Sequence, residues 1–85
     1  MSWYREEREV MRGWVRDALR AHGGSASVLA VSKHVWENHR SELEQMGNYL
    51  YLWQYDMRWV AQDMQDTDGV LLKDRRGWHL TDPIE

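Results

Sequence analysis

The 85 residues predict a mainly α fold, three helices around one core closed by a small C-terminal β-hairpin. Three observations carry this. Apolar residues recur at i, i+3, i+4 and i+7 in three separate segments, the spacing that puts side chains on one face of an α-helix. Gly23-Gly24 and Gly47-Asn48 punctuate the chain between those segments. After Asp66-Thr67-Asp68-Gly69 the pattern switches to the alternation of strands, around the turn sequence Asp74-Arg75-Arg76-Gly77.

The first helix is expected over about residues 3–22. Val10, Met11, Trp14, Val15 and Ala18 form its apolar side, extended by Trp3 and Tyr4. Ser2 is placed to cap its start, Glu6 and Glu7 lie where the helix dipole favours acids, and Gly23-Gly24 stops it. Arginines at 5, 8, 12, 16 and 20 make a stripe opposite the apolar side. Glu6, Glu9 and Asp17 sit in or beside that stripe, so a solvated face is expected rather than an anion-binding ridge.

A short strand around Ala26 can precede the second helix, expected over about 28–39 with Ser27 as N-cap and Val28, Val31, Val35 and Trp36 as its apolar stripe. His34 and His39 are five apart, so they do not share a helical face and have no further ligand of the zinc-site type; they read as surface residues. Ser41 and Glu44 have capping-box spacing, which predicts a helical turn leading onward. The third helix is expected over about 49–65, with Leu50, Trp53, Met57, Val60, Ala61 and Met64 on its inner face. Its other side is also rich in rings and long side chains: Tyr51, Leu52, Tyr55, Arg58, Trp59 and Gln62. The hairpin spans about 70–81, with Leu72, Trp78 and Leu80 at inward positions, and residues 82–85 form a loose tail.

Composition narrows the chemistry. Six Trp and four Tyr with no Phe is more ring surface than so small an interior holds, so some rings should form a contact patch. The absence of Cys removes disulfides, thiolate metal sites and cysteine nucleophiles. No apolar run approaches a membrane span and the first residues have no signal-peptide pattern, so a cytoplasmic protein without a membrane partner is expected. No phosphate-binding loop, nucleophile elbow or metal triad occurs, and the pairs Glu42/Glu44 and Asp66/Asp68 read as solvated carboxylates. A binding module is expected, neither an enzyme nor the holder of a cofactor or metal.

Three helices followed by a two-stranded hairpin is the order of a winged helix-turn-helix. The stretches Trp53-Gln54-Tyr55-Asp56-Met57-Arg58-Trp59-Val60-Ala61, Asp68-Gly69-Val70-Leu71 and Arg76-Gly77-Trp78-His79-Leu80-Thr81 resemble the N-terminal winged-helix domains of Mrr-type restriction-system proteins, and Gly23-Gly24-Ser25-Ala26 is similar to the turn before their second helix. The resemblance runs from Gly23 to Thr81 and implies a DNA-binding role, as a small transcriptional regulator or an accessory of a restriction or mobile-element system.

In such a fold the third helix would enter the major groove of double-stranded DNA, offering Tyr51, Gln54, Tyr55, Arg58 and Gln62, while Lys73, Arg75 and Arg76 form a cationic wing for phosphates. Two features point the other way. The formal net charge is −3, and between residues 25 and 81 acids outnumber bases by two, with Asp56, Asp63, Asp66 and Asp68 on or just beyond the third helix. The alternative is a protein-interaction or homodimer surface made by Tyr51, Leu52, Tyr55 and Trp59. Against it, Leu52 and Trp59 are also placed to pack beneath the first helix or the preceding loop, the position expected of Trp59, which leaves Tyr51 and Tyr55 as the better surface candidates.

Overall fold

The computed structural model describes residues 5–81; the expectations for Ser2, Trp3, Tyr4 and the tail 82–85 lie outside them. Helix α1 spans Arg5–Ala21, strand β1 Ser25–Ala26, helix α2 Val28–Glu44, helix α3 Trp53–Asp63, and strands β2 and β3 Leu71–Asp74 and Gly77–Leu80. The protein is mainly helical, with one antiparallel sheet of strand order β1-β3-β2. The short strand at Ala26 therefore joins the hairpin, and the sheet has three strands where the sequence predicts two as the main motif.

The helical stripes close on one another as their spacing requires. Met11, Trp14, Val15, Ala18 and Leu19 of α1 are buried against Val31, Val35 and Leu43 of α2 and Trp53, Met57, Val60 and Ala61 of α3. Val10, expected inside, is exposed at the edge of that stripe. Ser27 caps α2, its Oγ accepting the Ala30 N–H at 3.1 Å. The regular geometry of that helix breaks at His39 (φ −130°, ψ 20°), where the sequence places its end. A further helical stretch runs on across this kink to Glu44, where the Ser41/Glu44 spacing predicts a turn. The kink lets the His39 ring lie flat on Trp14, with centroids 4.1 Å apart and planes within 9°. His34 meets His22 edge-on, and both His34 and His39 are half-buried rather than plain surface residues.

The third helical segment is longer and less uniform than its periodicity predicts. Gly47–Tyr51 is a 3₁₀ turn and α3 begins after Leu52. Beyond Asp63 the helix widens into a π-turn, Met64–Asp68, which Gly69 ends in the left-handed conformation at φ 68°. Met64 is buried and Leu50 partly buried against the core, as the inner-face reading expects; Tyr49, which that reading does not place inside, is fully buried as well.

The hairpin register corrects the inward set. A two-residue turn at Arg75-Arg76 pairs Asp74 with Gly77, hence Lys73 with Trp78 and Leu71 with Leu80. Opposed residues share a face, so Leu71, Trp78 and Leu80 turn inward and Leu72 turns out, 58% exposed; a shift of one residue reverses a strand's faces. A lone hairpin is unstable in water. Burying Leu71 and Trp78 contributes about 1.5–3 kcal/mol each, which ties it to the helices.

Where β3 meets β1, Gly77 adopts φ 140°, and a Cβ there would sit 2.7 Å from Ser27 Cα and closer still to the Ala26 carbonyl oxygen. Gly77→Ala should therefore cost about 3 kcal/mol or more of unfolding free energy, from backbone strain and steric overlap together. Gly13 lies in α1 with nothing within 4 Å of its added Cβ, so Gly13→Ala should stabilise by about 1 kcal/mol. Urea denaturation of the two variants measures both.

Candidate binding surface

The acids of the third helical segment determine what its outer surface can do, and α1 meets three of them. Asp56 is buried, its Oδ1 receiving Arg8 Nε at 2.8 Å and Nη2 at 2.7 Å, while its Oδ2 accepts the Tyr49 hydroxyl at 2.7 Å. Burial first, and the bond to Asp56 second, push the Tyr49 phenol well above its ordinary range, so it stays a neutral donor. Arg12 pairs with both Asp63 and Asp68, and Glu9 lies 3.7 Å from its Nε. The Arg12 hydrogen bond, then that from Thr67, holds the Asp63 carboxyl below its usual value. The arginine stripe of α1 is thus a solvated face only in part, with Arg5 and Arg20 exposed. Arg8 and Arg12 fold onto α3 and beyond it, and Asp68 is an ion-pair partner rather than a free carboxylate.

With those acids engaged, the outward side of α3 presents Gln54, Tyr55, Arg58 and Gln62. Arg58 has no ion pair among the described residues. One turn further on, Gln62 Oε1 accepts from Lys73 Nζ at 2.9 Å, coupling the helix to β2, and Gln62 Nε2 donates to Asp66 at 2.9 Å. Lys73 stands on the inward face of its strand, yet its long stem carries the ammonium out to Gln62. Gln65 Oε1 accepts the Lys73 backbone N–H at 2.9 Å, satisfying one donor of the edge strand. At the hairpin tip Arg75 and Arg76 are exposed. Asp74 accepts the Arg76 N–H and lies 3.0 Å from His79 Nε2; His79 first, then that N–H, keep its carboxyl below the usual range. The predicted contact residues Arg58, Gln62 and Lys73 thus lie along one line running toward Arg75 and Arg76.

On the α2 side, Val28, Leu29, Lys33 and Trp36 face Leu50, Tyr51, Gln54 and Arg58 across a groove of about 690 Å³. Its charged lining is cationic, and Tyr51 is 81% exposed at its edge. Trp36 and Trp53 stack beneath it with planes 2° apart, and the Arg40 guanidinium lies 5.1 Å from the Trp36 ring centre. Lys33 is the residue that composition did not single out; the groove is formed between distant segments, and only the fold brings Lys33 opposite Arg58.

On the α1 side the character changes. Leu52, Tyr55 and Trp59 are 37%, 67% and 54% exposed, with Tyr55 and Trp59 in edge-to-face contact at 6.3 Å. Trp59 and Leu52 therefore do not pack beneath α1. Trp59 borders a second groove, about 510 Å³, whose other wall includes Arg5, Arg8, Glu9 and Arg12.

No group of three or more His, Asp or Glu side chains suited to hold a metal ion occurs among the described residues, and none of their helices is long and apolar enough to cross a membrane. No family model, curated protein or solved structure searched matches the chain.

Two measurements probe this arrangement. Asp56→Ala leaves the buried Tyr49 hydroxyl without its acceptor and Arg8 without its partner; a loss of about 2–4 kcal/mol is expected by chemical denaturation, larger than for Tyr49→Phe at about 1–2 kcal/mol. The second concerns acid. Because the folded-state pKa of Asp63 lies below its ordinary 3.8, its contribution is present above that value and lost as pH falls through the depressed one. Arg12→Ala should flatten the acid limb of a stability–pH profile while leaving its neutral limb parallel to that of the parent.

Proposed function

We propose that the chain is a winged-helix DNA-binding module, laying α3 in the major groove and the β2–β3 hairpin along the phosphate backbone, and acting by binding rather than by catalysis. The order α1-β1-α2-α3-β2-β3 with sheet order β1-β3-β2 is compatible with that architecture and supports the reading, as does the resemblance to the Mrr-type N-terminal domains. The observation that carries it is the line from Arg58 through Gln62 to Lys73 and the hairpin arginines, on a helix whose inner acids are paired to α1.

Each part has a chemical role. Arg58 and Gln54 offer forked groups that match guanine and adenine edges. Tyr51 and Tyr55 hydroxyls reach sugar-phosphate oxygens, and Lys33 at the α2 side adds a further phosphate contact. Arg75 and Arg76 put two guanidinium charges on an exposed turn, suited to phosphates of either strand. A small regulator, or an accessory of a restriction or mobile-element system, would use such a domain as its DNA-reading part.

Fluorescence anisotropy with labelled duplexes tests this. Binding should weaken steeply with salt, and the double variant Arg75→Ala/Arg76→Ala should lower the slope of log K against log salt by about two while weakening all sequences alike. Arg58→Ala should cost about 1–3 kcal/mol and relax sequence preference. An absence of binding to genomic and random duplexes at roughly 50 mM salt, where phosphate contacts are strong, overturns the proposal.

A further inference from the structure

We propose that the stripe Leu52–Tyr55–Trp59, together with the adjoining edge of α1, is where a second copy of this chain docks about a two-fold axis. Trp59 lines the groove beside α1, and none of the three residues lines the groove that holds Lys33 and Arg58. Trp59 is more than half exposed although the core beside it is closed, and its ring edges against an equally uncovered Tyr55. Contiguous rings left in water on a small domain mark a contact surface, and Trp and Tyr are the side chains that dominate such contacts.

The rim identifies the occupant. Arg5 and Glu9 both line the groove beside Trp59, and their i, i+4 spacing puts them on one face of α1. Arg5 makes no ion pair among the described residues, and Glu9 is largely exposed, with a long 3.7 Å contact to Arg12 Nε that leaves its carboxylate accessible from solvent. A nucleic acid would be repelled by Glu9, and a strongly charged protein partner would leave one of the two unmatched. A two-fold axis passing between the two positions sets Arg5 of each copy against Glu9 of the other, with the Trp59 rings enclosed between them. A patch with an apolar centre and both signs at its rim is its own complement, as an isologous contact requires.

Sedimentation velocity of the full chain from micromolar to submillimolar concentration tests the inference without DNA. A reversible dimer is expected, weakened about tenfold or more by Trp59→Glu, a substitution at an exposed position whose folding is verified by circular dichroism. Arg5→Glu should also weaken it, and Arg5→Glu/Glu9→Arg should restore it, because the exchange re-creates both cross-axis pairs. Arg58→Ala should leave it unchanged, so loss of DNA binding and loss of the dimer are separately visible. A strict monomer across the range, which would leave the face to a different partner, overturns the proposal. So does a dimer indifferent to Trp59→Glu or not rescued by the charge exchange.

Discussion

The ion pairs between α1 and the third helical segment are the constraint on which the remaining structure turns. A carboxylate as deeply placed as Asp56 would cost several kcal/mol if left alone in the interior. Two partners reached through different elements, Arg8 from α1 and Tyr49 from the 3₁₀ turn, offset that cost and fix the three segments against one another. The spacing makes the arrangement repeat. Arg8 and Arg12 are one turn apart on α1, and Asp56 and Asp63 are two turns apart on α3, so each helix offers its charges along one edge. Once those edges meet, the rotation of α3 about its own axis is set, and with it the choice of residues that face solvent.

That rotation divides the outer surface of α3 into two chemistries. Gln54 and Arg58 turn toward α2, Trp59 turns toward α1, and Gln62 borders the α1-side groove while reaching Lys73 of the hairpin. Gln62 joins helix and sheet, since one amide both accepts from Lys73 and donates to Asp66. The hairpin is held at its other end by Leu80 N–H donating to the Gly24 carbonyl and by the pairing of Ala26 with Trp78. The loop after α1, the sheet and the end of α3 therefore act as one framework. An exposed tip carrying Arg75 and Arg76 gains a defined position relative to Arg58 without contacting it.

Much of this framework was legible as periodicity, because helical stripes and a hydroxyl cap are local signals. Val31 and Val35, the Ser27 cap, and Trp53 through Met64 are where their spacing puts them. The outward position of Tyr51, Tyr55 and Arg58 followed from the same arithmetic. The misplacements share a different cause. Two consecutive leucines satisfy an alternating pattern in either phase, and only the Arg75-Arg76 turn, by pairing Asp74 with Gly77, decides that Leu71 and not Leu72 faces inward. The pairs of Arg8 and Arg12 join residues 48 to 56 positions apart, so no local pattern announces them, and five regularly spaced arginines look like a solvated edge. The break at His39 was legible from the end of the apolar stripe and the Ser41/Glu44 spacing, but the stacking of its ring on Trp14 joins residues 25 positions apart and leaves no local signal. Whether Trp59 was inside or outside depended on how many rings the core could accept, which is a property of the assembled volume.

The same locality explains why the overall charge is a poor guide to what this surface binds. The molecule measures 33 × 29 × 25 Å, whereas charges are screened over roughly 8 Å at physiological ionic strength. A polyanion lying along α3 and the hairpin would respond to Arg58, Lys73, Arg75 and Arg76 at short range and to a carboxylate across the body hardly at all. Acids already paired to arginines count for still less, because each pair presents a dipole whose field falls off faster than that of a free charge. As salt is reduced to about 10 mM the screening length grows to about 30 Å, comparable with the whole molecule, and the net charge of −3 begins to oppose the local patch. On the proposed reading, the cationic edge would therefore count most at physiological salt, and the excess of acids would limit indiscriminate adhesion to any polyanion when screening is weak.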